Sequence, residues 1–318
     1  MASSPNTPNN TSSSNRPVII LGISLRSGTN FLSDLIGLHP RCARFEDRIP
    51  EDYLVHYGKL LAAYTTRLHE QWKHWNISAS ERDRLMQRLG GGLEGFLMDA
   101  HPGKRVVSKT PSVKNIRLLP ILMPEADLII IVRDGRSVVE SGMRTFGWPM
   151  NWAADQWAHA AREITAFEAL YEDSDVRYRI VRYEDLVTDL SGTMVGLLEF
   201  LNLEEADYDF KRAADLPLRG SSTTRMADGE MNWTPVDKPD AFDSLGRFAH
   251  WSPRQHARFN WFAASSLSDL GYKPVSVPIS ALQRYLIFPL LNVRRRLSRM
   301  KVVLMDAINT ARATLSEP

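Results

Sequence analysis

Residues suited to binding an anion follow three apolar stretches of the sequence, at the points where strands would end. In chain order they are Arg26, Ser27, Gly28, Thr29, Asn30, Lys109, Arg133 and Ser141. Backbone N–H groups at the start of a helix attract anions, a glycine permits a tight turn, and an arginine fork suits phosphate oxygens. These residue types predict phosphate binding, with a lysine that can stabilise charge on a transferred group.

The loop from Gly22 to Asn30 lies between an apolar run and a helical pattern, as phosphate-binding loops do. ATPases and kinases carry G-x-x-x-x-G-K-[ST] at this place. Gly22 and Gly28 are one residue too far apart for that pattern, and no lysine follows Gly28. A P-loop kinase or NTPase acting on ATP is therefore disfavoured and is kept as an alternative function. The structural alternative is a plain strand–turn–helix with Thr29 as N-cap.

Strands that alternate with helices are needed to position these side chains. Apolar runs predict strands at Val18–Ile23, Val106–Ser108, Asp127–Val132 and Arg177–Arg182. Helical patterns cover Thr29–Leu38, Glu51–Trp75, Ala79–Met98, Gly135–Met143 and Trp152–Tyr171. This order predicts an α/β fold, a three-layer sandwich with a central parallel sheet. Ligands of such sheets bind at the carboxyl ends of the strands, where the candidate residues lie.

Composition sets the remaining boundaries. Residues 1–16, rich in Ser, Asn and Pro, predict a disordered tail. A domain is expected over residues 17–275, with a helical insertion at about 51–100, followed by an extension over 276–318. The net charge of +2 does not favour nucleic-acid binding, and no apolar segment has membrane-spanning length. The single cysteine, Cys42, excludes an intramolecular disulfide and makes a cytoplasmic location natural.

Three motifs together resemble the sulfotransferases that use 3′-phosphoadenosine 5′-phosphosulfate (PAPS). "LRSGTNFL" is similar to the family's 5′-phosphosulfate loop, although Asn30 replaces a threonine. "VRDGRSVVES" resembles the 3′-phosphate motif, with Arg133 and Ser141 in register, and "VRYEDLV" places Tyr183 near the adenine. The resemblance runs from about Pro17 to Tyr272. It implies a P-loop NTPase-like sulfotransferase fold and PAPS-dependent transfer of a sulfuryl group to a hydroxyl acceptor, with PAP as product and no metal.

The resemblance also selects a branch of the family and a candidate base. Cytosolic members carry K-x-H, but Pro111 stands where the histidine would be, so the chain is closer to the tyrosylprotein and bacterial branch. That branch has a carboxylate base after a His-Pro, and "LHPRCARFEDRIP" offers Glu46 and Asp47. Arg26 and Lys109 would stabilise the transferring group. Without the family, an acidic loop that pairs with Arg44 or Arg48 would be the preferred interpretation.

The polar loop after Asp215 resembles the segment that closes over the donor in this family. It offers Arg219, Gly220, Ser221, Ser222 and Lys238 as further donor-binding residues. A solvent-exposed loop is the structural alternative. The acceptor stays open among carbohydrate, lipid, tyrosine and small alcohol, and a non-catalytic nucleotide-binding module is the second alternative function.

The extension after residue 275 is basic and amphipathic. From Ile279 onward it has seven basic and two acidic residues. An apolar helical face combines Val293, Leu297, Met300, Leu304 and Ile308. Such a helix can lie on an anionic membrane surface, which would give the protein peripheral membrane contact. The preferred alternative is a terminal helix that docks on the domain with its arginines in water.

Overall fold

The computed structural model describes residues 16–217, 219, 237, 243–291, 293, 300 and 304–305, with the side chain of Asp47 excepted. Five parallel strands form one sheet in the order β2-β3-β1-β4-β5. They are β1 (Val18–Gly22), β2 (Cys42–Arg44), β3 (Arg105–Thr110), β4 (Asp127–Val132) and β5 (Tyr178–Arg182). Strand β1 therefore lies between β3 and β4, so the residues that follow these three strands share one edge of the sheet.

Helices cover both faces of the sheet. They are α1 (Thr29–Ile36), α2 (Gly58–Trp72), α3 (Ala79–Met98), α4 (Leu119–Leu122), α5 (Gly135–Phe146), α6 (Met150–Tyr171), α7 (Tyr183–Thr188), α8 (Leu190–Phe200), α9 (Phe210–Ala214) and α10 (Pro253–Asp269). No helix of the described ranges is long and apolar enough to cross a membrane.

The side chains of β1 alternate between two apolar clusters. Ile19 and Leu21 pack with residues of α3, α5, α6 and α10, whereas Val18 and Ile20 pack with residues of α1, α7 and α8. A strand buried on both faces needs a continuous apolar run, which is the pattern that the sequence showed. The predicted three-layer α/β fold with a central parallel sheet is confirmed.

Two local features differ from the sequence-based expectation. Strand β2 was not predicted, because it has only three residues and lies at the sheet edge beside β3. The helix expected from Glu51 begins at Gly58. The residues before this helix are hydrogen-bonded to β3 instead. Ser108 donates to the Asp52 carboxylate at 2.6 Å, and the Tyr53 N–H donates to the Thr110 hydroxyl at 2.9 Å.

Candidate functional site

The turn between β1 and α1 is tight because two of its residues have left-handed backbone conformations. Gly28 has a φ of 101° and Arg26 a φ of 74°. A Cβ atom on Gly28 would lie 2.4 Å from Cδ2 of Tyr183, so the tyrosine ring packs directly on this glycine. The Ser27 hydroxyl donates to the carbonyl of Ser24 at 2.7 Å. Ser27 therefore stabilises the turn, and Thr29 and Asn30 supply the first N–H groups of α1, which have no carbonyl partner within the helix.

The structure brings Arg26, Arg133 and Ser141 together. Nε of Arg26 donates to the Ser141 hydroxyl at 2.9 Å, and Nη1 of Arg133 donates to the Arg26 carbonyl at 2.8 Å. The Arg133 guanidinium also lies over the Tyr183 ring, 4.2 Å from its centroid. Four residues from three separate motifs thus form one site at the carboxyl edge of the sheet.

The end of β4 is held rigidly, which fixes Arg133. Asp134 caps α5 by accepting the N–H of Arg136 at 2.8 Å. The indole of Trp157 donates to the Arg133 carbonyl at 3.2 Å, and a Cβ on Gly135 would lie 2.6 Å from that indole ring. Only glycine fits between the start of α5 and Trp157, which explains its place in the motif.

A third arginine, Arg247, lies near enough to Arg26 and Arg133 to affect the pKa of Arg26, and it was missed in the sequence. Burial and the positive charges of Arg133 and Arg247 lower the pKa of Arg26 to about 10. Burial and Arg133 likewise lower the pKa of Arg247. We call Arg26, Arg133 and Arg247 the arginine cluster. Its only sequence signal was one arginine in "SLGRF", which matches no motif used above.

Lys109 and Glu46 form a second charged group, on the other side of β1. Lys109 is buried, and its Nζ donates to the Pro50 carbonyl at 2.7 Å and lies 3.2 Å from Oε2 of Glu46. Oε1 of Glu46 also lies 2.7 Å from Arg219 and 3.0 Å from Arg44. Burial raises the pKa of Glu46, but these three cations outweigh it and hold that pKa below its ordinary value.

Arg219 contacts carboxylates in this structure. Its guanidinium donates to Asp34 on α1, through Nε at 2.9 Å, and to Glu46 at 2.7 Å. Despite burial, the two carboxylates raise the pKa of Arg219. The sequence had suggested a donor contact for this residue, so the structure adds a role in binding Asp34 and Glu46. Four further candidates lie outside the described residues: Gly220, Ser221, Ser222 and Lys238.

The two charged groups lie two strands apart. Lys109 belongs to β3 and Arg133 follows β4, with β1 between them. Neighbouring strands are about 4.8 Å apart, so the lateral separation is about 10 Å. An elongated ligand with one anionic group over the arginine cluster could therefore reach Lys109 with a second group. The candidate base, Glu46 or Asp47, belongs to the 3₁₀ turn Phe45–Asp47 that follows β2.

Comparison with known proteins relates the chain to sulfotransferases. The profile of the sulfotransferase family matches residues 17–207. Protein-tyrosine sulfotransferase 1 of Danio rerio is 25% identical over 283 residues, which cover 82% of this chain and 74% of the relative. Protein-tyrosine sulfotransferase A of Caenorhabditis elegans is 25% identical over 284 residues, covering 82% and 69%. A solved sulfotransferase domain from the curacin biosynthetic pathway aligns with a TM-score of 0.45 and 18% identity, covering 83% of this chain and 99% of that domain.

The chain belongs to the sulfotransferase family. The prediction of a PAPS-dependent sulfotransferase that acts on a hydroxyl acceptor is confirmed, as is the resemblance to the tyrosylprotein and bacterial branch.

Proposed function

We propose that this enzyme transfers the sulfuryl group of PAPS to the phenolic hydroxyl of tyrosine in a polypeptide, using Arg133 and Ser141 to hold the 3′-phosphate and Glu46 or Asp47 as the base. One observation carries the donor site: Arg26, from the first phosphate motif, donates to Ser141 of the second motif at 2.9 Å. Tyrosine as the acceptor is supported by the relatives, whose names assign them to protein tyrosine.

The residues present fit a nucleotide with two anionic ends. Nε of Arg133 is buried and makes no hydrogen bond to the described residues, so it is available to an acceptor oxygen. Buried donors in proteins are otherwise nearly always paired. Arg133 and Ser141 would hold the 3′-phosphate, and Tyr183 would pack near the adenine. The N–H groups of Thr29 and Asn30 would hold the 5′-phosphosulfate with Lys109.

When bound, PAPS supplies an activated sulfuryl group with a phosphate as leaving group. The buried Lys109 ammonium stabilises the negative charge that develops when the sulfuryl–phosphate bond breaks. Its position is fixed by the Pro50 carbonyl at 2.7 Å. Because Lys109 also lies 3.2 Å from Glu46, the base and the charge-stabilising group are held next to each other. The base removes the proton of the tyrosine hydroxyl as its oxygen attacks sulfur.

Two observations on Glu46 point in opposite directions as to whether Glu46 or Asp47 is the base. Glu46 contacts Lys109 directly, but its lowered pKa makes it a weaker proton acceptor. Asp47 is the next residue of the same 3₁₀ turn. We would measure turnover against pH for Glu46→Gln and Asp47→Asn, with Glu81→Gln on α3 as a control. Loss of the base removes the acidic limb of the profile, so the variant that loses it identifies the residue. If both variants keep it, neither carboxylate is the base.

The acceptor is tested with labelled PAPS. A peptide that contains tyrosine, the same peptide with phenylalanine, a monosaccharide and a long-chain alcohol are compared. Label in the tyrosine peptide alone is the expected result. Label in another compound would refute tyrosine as the acceptor while leaving the donor assignment intact. A failure of the wild type to bind PAP in calorimetry would refute the donor site itself.

We also propose that the C-terminal extension contacts anionic lipid. Phe288 is buried and stacks on Trp261 at 4.8 Å, which anchors the segment, whereas Leu282, Tyr285 and Leu290 are all more than half exposed. Val293 of the predicted apolar face is also exposed. The next residues are the basic run 294–301, whose charge suits an anionic surface. The exposure of these apolar side chains supports lipid contact by the part of the segment beyond Phe288.

Vesicle sedimentation tests this contact. The wild type is expected to sediment with vesicles that contain phosphatidylserine and to stay in solution with neutral vesicles. Leu282→Asp is expected to reduce sedimentation, because the charge opposes burial in lipid. Equal sedimentation of wild type and variant would contradict the proposal. Cytoplasmic location itself stays a prediction from the sequence.

A further inference from the structure

A short segment that is neither helix nor strand runs beside the end of β3. It consists of residues 50–53, which we call the clamp segment. The N–H of Asp52 donates to the Lys109 carbonyl at 3.2 Å, and the N–H of Tyr53 donates to the Thr110 hydroxyl at 2.9 Å. The last two residues of β3 therefore hold the clamp segment in one position, although it has no regular structure of its own.

The side chain of Asp52 makes a further connection to β3. Its carboxylate oxygens accept the Ser108 hydroxyl at 2.6 Å and the Leu54 N–H at 2.8 Å. Ser108 is only 1% exposed, so its hydroxyl depends on a partner within the protein. Asp52 thus joins the clamp segment to two consecutive residues of β3, to Ser108 through its side chain and to Lys109 through its backbone.

Tyr53 has a backbone conformation that is unfavourable for a residue with a Cβ atom. Its φ is 52°, in the left-handed region. Thr110 accepts its N–H, and its own hydroxyl donates to Oε2 of Glu51 at 2.7 Å. A strained residue persists only where its surroundings determine its conformation, and such residues concentrate at functional sites. The strain is a second sign that contacts with β3 determine the course of the clamp segment.

The clamp segment supplies a partner for the buried ammonium group of Lys109. Nζ of Lys109 donates to the carbonyl of Pro50 at 2.7 Å, two residues before Asp52, and lies 3.2 Å from Oε2 of Glu46. A lysine has a flexible four-carbon stem, so the direction of its ammonium group depends on the groups that bind it. The position of the Pro50 carbonyl depends in turn on the bonds that Asp52 makes to β3. A connection thus runs from Asp52 through the Pro50 carbonyl to the ammonium group.

We propose that Asp52 is a positioning residue for sulfuryl transfer, because it fixes the Pro50 carbonyl that aims the Lys109 ammonium group. This inference rests on the proposed role of Lys109, which is to stabilise the charge that develops as the sulfuryl–phosphate bond breaks. An interaction made only in the transition state affects kcat rather than KM. Because a displacement of about 1 Å can lower a rate about 10²-fold, the loss of the Asp52 contacts is expected to appear in kcat.

Steady-state kinetics with labelled PAPS tests this role, using the compound that accepts label in the comparison proposed above. Asp52→Ala is expected to lower kcat about 10- to 100-fold and to change the KM for PAPS less than about threefold. Asp52→Asn keeps one acceptor oxygen and should lose less. Ser108→Ala removes one of the two bonds to the carboxylate, so its kcat should lie between those of the wild type and Asp52→Ala.

A second aspartate serves as the matched control. The Asp189 carboxylate caps α8 by accepting the N–H of Gly192 at 3.0 Å. Asp189→Ala should therefore lower stability without changing kcat. Urea unfolding of every variant measures the loss of stability separately from kcat. If Asp52→Ala does not fold, Asp52→Asn and Ser108→Ala carry the same test.

A double-mutant cycle with Lys109→Met separates positioning from general structural support. If Asp52 acts through Lys109, then Asp52→Ala should lower kcat less than about threefold in the Lys109→Met background. A decrease by the same factor in both backgrounds, or an unchanged kcat for Asp52→Ala alone, would overturn the inference. Full turnover by Lys109→Met would refute the role of Lys109 and this inference together. Turnover that Lys109→Met lowers and Asp52→Ala does not would refute this inference alone.

Discussion

Replacing Gly28 by alanine tests the packing at the centre of the site. Gly28 has a φ of 101°, and an added Cβ would lie 2.4 Å from Cδ2 and 2.8 Å from Cε2 of Tyr183. Gly147 is a matched control, because it also has a positive φ, 66°, but an added Cβ there would meet nothing within 4 Å. The two substitutions share the backbone cost and differ in the contact with Tyr183.

The left-handed conformation costs an alanine about 1–2 kcal/mol, which applies to both variants. At Gly28, overlap with a buried ring adds about 1–3 kcal/mol. Tyr183 cannot move aside freely, since the Arg133 guanidinium lies 4.2 Å from its ring centroid on one side. Gly28→Ala should therefore lower the free energy of unfolding by about 2–5 kcal/mol, against about 1–2 kcal/mol for Gly147→Ala.

Urea unfolding measures the two losses, and calorimetry with PAP measures their effect on the site. Displacement of Tyr183 also moves Arg133, so Gly28→Ala should bind PAP more weakly, whereas Gly147→Ala should bind it normally. If both variants lose the same stability and bind PAP equally well, then the Tyr183 ring does not pack on Gly28 as described, and the explanation of this glycine is wrong.

Three further substitutions test the roles of individual charged side chains. Lys109→Met should lower turnover about 10²- to 10³-fold, because a buried charge that stabilises the transferring group is lost; unchanged turnover in a PAPS assay would remove Lys109 from the mechanism. Arg219→Met should raise the pKa of Glu46 by removing a cation 2.7 Å away. If Glu46 is the base, the acidic limb of the pH–rate profile then moves to higher pH, and an unmoved limb argues against that assignment. Burial raises the pKa of Glu94 from 4.5 to about 7. Wild-type stability should fall as pH rises across that interval, and Glu94→Gln should stabilise by about 1–3 kcal/mol at pH 8 but not at pH 4; a gain at both pH values would contradict this.

Most of the sheet could be predicted because its strands are buried on both faces. The run Asp127–Val132 has the bounds observed for β4, and the strand-end rule placed Lys109 and Arg133 at one edge. Strand β2 escaped prediction because three residues at a sheet edge carry no periodic signal. The start of α2 was misplaced because side-chain bonds from β3 hold Asp52 and Tyr53 outside the helix.

The partners of individual charges could not be predicted from the sequence. Arg26 reaches Ser141 across 115 positions, and Arg219 reaches Asp34 across 185. Arg247 lies near Arg26 only because distant contacts fix its segment against α5. Local motifs report which residues follow a strand, but such pairings depend on how the chain folds around the sheet.

The arginine cluster has a kinetic consequence. The 3′-phosphate is the same in PAPS and in PAP, so in the proposed donor site these arginines would bind donor and product alike. Interactions that are equal before and after the reaction lower the KM for the donor without lowering the barrier to transfer. A strong cluster therefore slows departure of the spent nucleotide. Turnover limited by product dissociation, with PAP inhibiting competitively against PAPS, is the kinetic behaviour that this arrangement of charge favours.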